Sequence, residues 1–157
     1  MKIPSLVGSV MMLITAAGSA ALHAADMPAP MQAADIKWGP APPVLPAGAQ
    51  AAVMAGDPAT TGFVSVRLKM PAGYRIPAHS HPTDEHVTVI SGTFAIGMGD
   101  KLDKKQSKTL KAGGYAVAPA NMHHFAWTKT GAVVQVDMIG PFAITYVNPA
   151  DDPTKKK

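Results

Sequence analysis

The chain has no cysteine. That excludes disulfides, thiolate metal ligands and a lipid-anchored cysteine near the N-terminus. Any metal must then be held by histidine, carboxylate and water. Aromatic residues are scarce, at 6 %, and charged residues make up only 15 % of the chain, so it is not a disordered polyelectrolyte. The formal net charge of +4 is mild, and part of it sits at the two ends, in Lys2 and in Lys155, Lys156 and Lys157. There is no Arg-rich face with interleaved aromatics, which argues against nucleic-acid binding. The three terminal lysines read as a solvated tail. The ten methionines form no Met-x-x-Met cluster, so nothing points to methionine-based copper handling. No helical period of useful length follows the first 25 residues.

What is present fits one domain: 157 residues, 47 % of them apolar, are enough to bury a real core. The N-terminus has the three parts of a secretory signal. Met1-Lys2 is the positive region, and Ile3 through Ala17 is a short apolar run. Small residues follow, with cleavage expected after Ala24 or Ala25. A retained membrane anchor is the alternative, but the run is shorter than the roughly 20 residues a spanning helix needs. Residues 1–25 are therefore expected to be a cleaved leader and the mature protein periplasmic or secreted, with no membrane contact.

Residues 26–58 are rich in alanine and proline, with Pro28, Pro30, Pro40, Pro42, Pro43, Pro46 and Pro58. Such a stretch cannot hold a long helix. Its later part is expected to lie against the domain, with an edge strand at Ala51 to Met54. From Phe63 to Met70 apolar and polar residues alternate as in a half-buried strand. Further short strands are expected at His86–Ile90, Thr93–Met98, Tyr115–Ala118, His124–Trp127, Ala132–Ile139 and Phe142–Val147. Ser91-Gly92 reads as a tight hairpin turn and Gly99–Lys108 as a solvated loop. Many short strands punctuated by Gly and Pro predict an all-β sandwich or barrel over residues 59–148, with 149–157 as a basic tail.

The stretch GYRIPAHSHPTDEHVTVISG gathers His79, His81, Glu85 and His86 within eight residues. Successive side chains of a strand point to opposite faces, so His79 and His81 share one. Alternation puts Glu85, Val87 and Val89 on one face and His86 on the other. A site built here takes His79, His81 and Glu85 and leaves His86 out. Two imidazoles and a carboxylate hold Fe(II) and similar ions with open positions. In PANMHHF, adjacent His123 and His124 cannot both face one pocket, so one of them would be a fourth ligand.

Here the sequence resembles the cupin superfamily. Gly73, His79, His81, Glu85 and Gly92 match its first motif at every fixed position. The second motif resembles Gly113 through His124, with Pro119 and His124 in place. Asn121 stands where Gly is usual and Thr128 where Asn is usual; Asn tolerates positive φ well enough to keep a turn. The C-terminal GPFAITYVNPADDP is similar to a subset of small exported cupins.

The resemblance implies a jelly-roll β-barrel holding one divalent metal (Mn, Fe, Co, Ni, Cu or Zn) through His79, His81, Glu85 and His124. It also implies a homodimer. It implies no particular reaction, since fold does not give function. The expected function is that of a small metalloenzyme, of oxygenase, decarboxylase or isomerase type, acting on a small metal-chelating substrate. The alternative is a non-catalytic, metal-dependent small-molecule binding protein. Tyr74, Arg75, Tyr115 and Gln135 are possible polar substrate contacts. Phe94, Ile96, Met98, Met122 and Met138 are expected in the core.

Overall fold

The computed structural model describes residues 29–155. The expected leader and its cleavage sites lie outside the described residues, as do Lys156 and Lys157. From Ala33 on, the described residues form one compact unit. Among the described residues no helix is long and apolar enough to cross a membrane.

Among the described residues ten strands make the fold: β1 (Gly39–Pro40), β2 (Gln50–Ala55), β3 (Gly62–Met70), β4 (Arg75–Ser80), β5 (Glu85–Met98), β6 (Lys108–Lys111), β7 (Tyr115–Ala118), β8 (His124–Trp127), β9 (Ala132–Gly140) and β10 (Thr145–Tyr146). All pairings are antiparallel. They follow the order β1-β2-β3-β9-β5-β8-β4-β10, with β6 and β7 attached to β5. This is an all-β jelly roll of the cupin type, a curled antiparallel sheet as the sequence led us to expect.

The curl is made by β5, a single strand of 14 residues. Its first part pairs with β7 and β9, and its second part with β6 and β8. The expected hairpin at Ser91-Gly92 is therefore absent. Those residues are instead a bulge, where the register against β9 shifts between Val89 and Ser91. A bulge bends a strand and tightens its twist without ending it, so one strand serves both halves. Gly92 is required there: its φ is +76°, and a Cβ on it would stand 2.2 Å from the Gly131 carbonyl oxygen.

Alternation sets what faces inward. Val64 and Met70 of β3, Val87 and Val89 of β5, and Val134, Val136 and Met138 of β9 pack in one core. Phe94 and Ile96 join it, whereas Met98 and Met122, expected inside, are 40 % and 46 % exposed. Met98 is the last residue of β5, where the strand runs out past the core, and Met122 sits in the turn before β8. The expected loop at 99–108 carries a 3-10 turn at Lys104–Gln106 capped by Asp103, and β6 follows it. The expected strand at Phe142–Val147 is only Thr145–Tyr146.

From Ile36 onward the Ala/Pro-rich segment lies against the barrel. Ile36, Leu45 and Ala49 are buried, and β2 forms where a strand was expected, with the two-residue β1 outside it. Two tyrosines fasten the segment from beneath. The Tyr146 hydroxyl donates to the Val44 carbonyl at 2.7 Å, and the Tyr74 hydroxyl donates to that of Pro46. Thr128, the departure from the family motif, is buried and acts as a clasp. It donates to the Thr93 carbonyl at 2.6 Å and accepts from the Gly131 amide at 3.0 Å. Asn121 takes φ +61°, the turn conformation that its place in the motif demands.

Candidate metal centre

Three strands bring the histidines together. His79 of β4 stands opposite His124 of β8 in the ladder, and Tyr146 of β10 flanks His79 on its other side. Ladder pairing between β4 and β8 slips between Ile76 and His79. That slip re-aims the strand, so that Ile76 and His79, three residues apart, are both buried. His81 follows β4 directly. The ring centroids of His79 lie 5.0 Å from those of His81 and 4.2 Å from those of His124. All three rings are almost wholly buried.

Each ring is oriented by a backbone carbonyl. Nδ1 contacts the carbonyl oxygens of Pro77 (2.7 Å, His79), Ala143 (2.7 Å, His81) and Met122 (3.1 Å, His124). A carbonyl oxygen only accepts, so Nδ1 carries the hydrogen in each case. In the neutral ring Nε2 then holds a bare lone pair. The nearest ligand atoms of the three residues all fall within 4.8 Å of one another. Nε2 of His81 and of His124 are buried without a hydrogen-bond partner.

Glu85, at the start of β5, closes the group. Its Oε1 lies 3.6 Å from His81 Nε2 and its Oε2 3.3 Å from His124 Nε2. Lone pairs therefore face lone pairs, an arrangement that calls for a cation between them. Buried polar atoms normally have partners, and exceptions ask for an explanation such as an ion. A divalent transition metal suits imidazole nitrogens with a carboxylate. The residues present fit such an ion, and His79, His81 and His124 could hold it.

The electrostatics agree. The His79 pKa is lowered to about 3, first by burial and then by the neighbouring rings of His124 and His81. It thus stays neutral and ready to ligate at ordinary pH. Burial alone would raise the Glu85 pKa, but the hydrogen bond from a protonated His124 and the attraction that the His81, His124 and His79 rings exert when protonated outweigh it and lower the value. Glu85 is held as a carboxylate.

The other expected site residues lie elsewhere. His86 faces outward and contacts the Tyr115 hydroxyl; His123 pairs with Asp100 at 2.7 Å on the surface. Of the possible substrate contacts, Tyr74 is committed to Pro46 and Arg75 is exposed. Tyr115 is 55 % exposed. Gln135 lies between Arg67 and Asp137 on the outer side of β9. None of the four lines the cavity that opens beside the histidines. That cavity, about 90 Å³, runs from His79, His81 and Glu85 outward, between β3 and β9 on one side and Phe142 and Ile144 on the other. Phe142 and Ile144 were not singled out in the sequence; only their place in the GPFAITYVNP stretch marked them.

Residues 19–145 match the model of a family described as a domain of unknown function, DUF4437. The chain belongs to this family, a cupin-like one. A curated relative is germin-like protein 3-1 of Oryza sativa subsp. japonica, 31 % identical over 80 residues. The match takes 50 % of this chain and 36 % of the rice protein, so it spans about a third of that protein's length. Among solved structures, the polyketide cyclase RemF of Streptomyces resistomycificus aligns with a TM-score of 0.63 at 15 % identity, over 81 % of this chain and 90 % of that one. A putative acetylacetone dioxygenase of Methylibium petroleiphilum PM1 aligns with a TM-score of 0.60 at 20 % identity, over 81 % and 85 %. An RmlC-like cupin of Shewanella frigidimarina NCIMB 400 gives 0.55 at 16 %, over 69 % and 87 %. At such identities these likenesses show the fold alone.

Proposed function

We propose that the protein binds one divalent transition-metal ion (Mn, Fe, Co, Ni, Cu or Zn) through His79, His81, Glu85 and His124, and acts as a small metalloenzyme on a metal-chelating substrate. The observation that carries this reading is the pair of buried, partnerless Nε2 atoms facing the Glu85 carboxylate. Bound there, the ion would polarise a chelated oxygen and leave positions open beyond its four protein ligands.

The chain's own residues narrow the chemistry. The carbonyls of Pro77, Ala143 and Met122 fix the ring tautomers. Glu85 offsets ionic charge and, apart from the imidazoles, is the cavity's lone titratable group among the described residues. The remaining acids are engaged elsewhere: Asp84 accepts from the Ala120 amide, Asp103 from the Lys105 amide, Asp100 pairs with His123, and Asp137 accepts from Gln135. An isomerase that moves a proton between two carbons wants an acid and a base at two places. This cavity offers one carboxylate, which favours oxygenation or decarboxylation. The same scarcity supports a second reading, non-catalytic metal-dependent binding of a small molecule.

Export to the periplasm belongs to the proposal, supported by Lys2, the apolar run Ile3–Ala17 and the small residues before Asp26. N-terminal sequencing of the secreted form should begin at Ala25 or Asp26. Homodimerisation belongs to it too, supported by exposed Phe63 and Ile139, paired across β3 and β9. Light scattering on the purified protein checks it.

The test of the metal site is elemental mass spectrometry on mature protein, purified from the periplasm without chelators or a polyhistidine tag. A His79→Ala/His124→Ala double variant is measured beside it. Near one equivalent of one metal, lost in the variant, is expected. No metal in either protein, even after soaking with each candidate ion, would overturn the proposal.

A further inference from the structure

We infer that the cavity takes a small molecule with an apolar body and one monoanionic pair of oxygen donors, of the enolate or hydroxamate kind, and rejects sugars and dicarboxylates. The inference rests on the four-ligand reading of the metal site above and names its ligand class.

The walls carry the first argument. Beyond His79, His81 and Glu85, the lining is apolar throughout, with Val64, Val66, Val136 and Met138 on the sheet side and Phe142 and Ile144 facing them. No Ser, Thr, Asn, Gln, Tyr, Lys or Arg side chain is among the described lining residues. A sugar placed here would bury hydroxyls with nothing to bond, at a loss of roughly tenfold or more in affinity for each. An aliphatic or small aromatic body would instead meet matching surface.

Size and direction carry the second. A cavity of about 90 Å³ is well above the ~10–15 Å³ that a single water needs, so it has room for a small ligand body. On the far side of the histidines a smaller cavity of about 20 Å³, lined by Val87, Phe94, Ile96 and Ala126, is too small for a ligand body. The chelating head therefore sits at the histidines and the body extends outward, toward Pro42, Val53 and Pro58, where Val53 is 54 % exposed.

Charge carries the third. Three neutral imidazoles, one carboxylate and a divalent ion sum to one positive charge. A monoanionic chelate brings the buried site to neutrality. A dianion leaves an uncompensated negative charge in an apolar cavity with no Lys or Arg to meet it, which is costly.

The test uses the full mature chain loaded with Co(II), whose visible spectrum reports ligation. Three probes are titrated: 3-methylbutanohydroxamate, succinic monohydroxamate and oxalate. The first two share one head and differ in a tail carboxylate; the third is a dianion. The apolar hydroxamate should bind on the order of tenfold or more tighter than the carboxylate-tailed one, and oxalate more weakly than either. Equal or tighter binding of the tailed probe or of oxalate would overturn the inference, as would a bound Co(II) whose spectrum none of the probes alters. A Co(II) spectrum identical in the His79→Ala/His124→Ala variant would instead overturn the metal-site reading itself.

Discussion

Oε2 of Glu85 lies 3.3 Å from Nε2 of His124, and the His124 Nδ1 hydrogen is already given to the Met122 carbonyl. A carboxylate oxygen and an imidazole nitrogen thus stand together with no hydrogen bond assigned between them. Glu85→Gln removes the carboxylate, and the variant should lose most of the stabilisation that added metal gives. Thermal melts with and without Co(II) or Zn(II) check this. A variant that keeps the full metal shift contradicts the arrangement.

The His79 pKa, lowered from 6.5 to about 3 by burial and its neighbouring imidazoles, gives a pH dependence. The unfolded chain takes up a proton below about 6.5, while the folded one cannot until about 3. Stability is therefore full above about pH 6.5 and falls as pH drops through that window, by up to about 1.4 kcal/mol per unit. Glu85, also lowered in the fold, acts in the same direction: its contribution is present above about 4.5 and lost as pH falls through its folded value. Urea titrations of metal-free protein at successive pH values should show the slope, and His79→Gln should flatten its upper part. A flat profile from pH 7 to 5 would count against a buried, neutral His79.

Tyr146 joins the metal centre to the N-terminal segment. Its ring lies 5.9 Å from that of His79, and its hydroxyl holds Val44. Tyr146→Phe keeps the ring and removes the anchor, at a cost of about 1 kcal/mol. Hydrogen exchange should quicken at residues 41–49 and stay unchanged in β9. Unchanged exchange in the segment would mean that Leu45 and Ala49 alone hold it down.

Two glycines separate collision from backbone strain. Gly92→Ala puts a Cβ 2.2 Å from the Gly131 carbonyl oxygen, whereas Gly99→Ala, at φ +125°, meets nothing within 4 Å. The first should cost several kcal/mol and the second on the order of 1–3 kcal/mol. Similar losses in the two variants would contradict the bend assigned to β5.

Much of this was legible in the sequence, for identifiable reasons. Period-two alternation gave β3 to within a residue, and the short apolar runs between Gly and Pro turns gave β7 and β8. The spacing of His79, His81, Glu85 and His124 pointed to one group, and the structure brings these side chains together. Three features hid the rest. Ser91-Gly92 carries the composition of a hairpin turn and also that of a bulge; only the partners on both sides of β5 decide between them. Phe142 and Ile144 sit in an irregular stretch with no period, so their place on the cavity wall depends on the whole barrel. Tyr74 and Tyr146 gave no sign that their hydroxyls would hold carbonyls of a distant, proline-rich segment.

The central claim is that three imidazoles and Glu85 surround one ion. X-ray absorption at the metal edge of Co(II)-loaded protein measures this directly. The account predicts scattering from three imidazole rings, falling to two in His81→Ala with the metal still bound at lower affinity. One imidazole or none, or a spectrum untouched by His81→Ala, would contradict it.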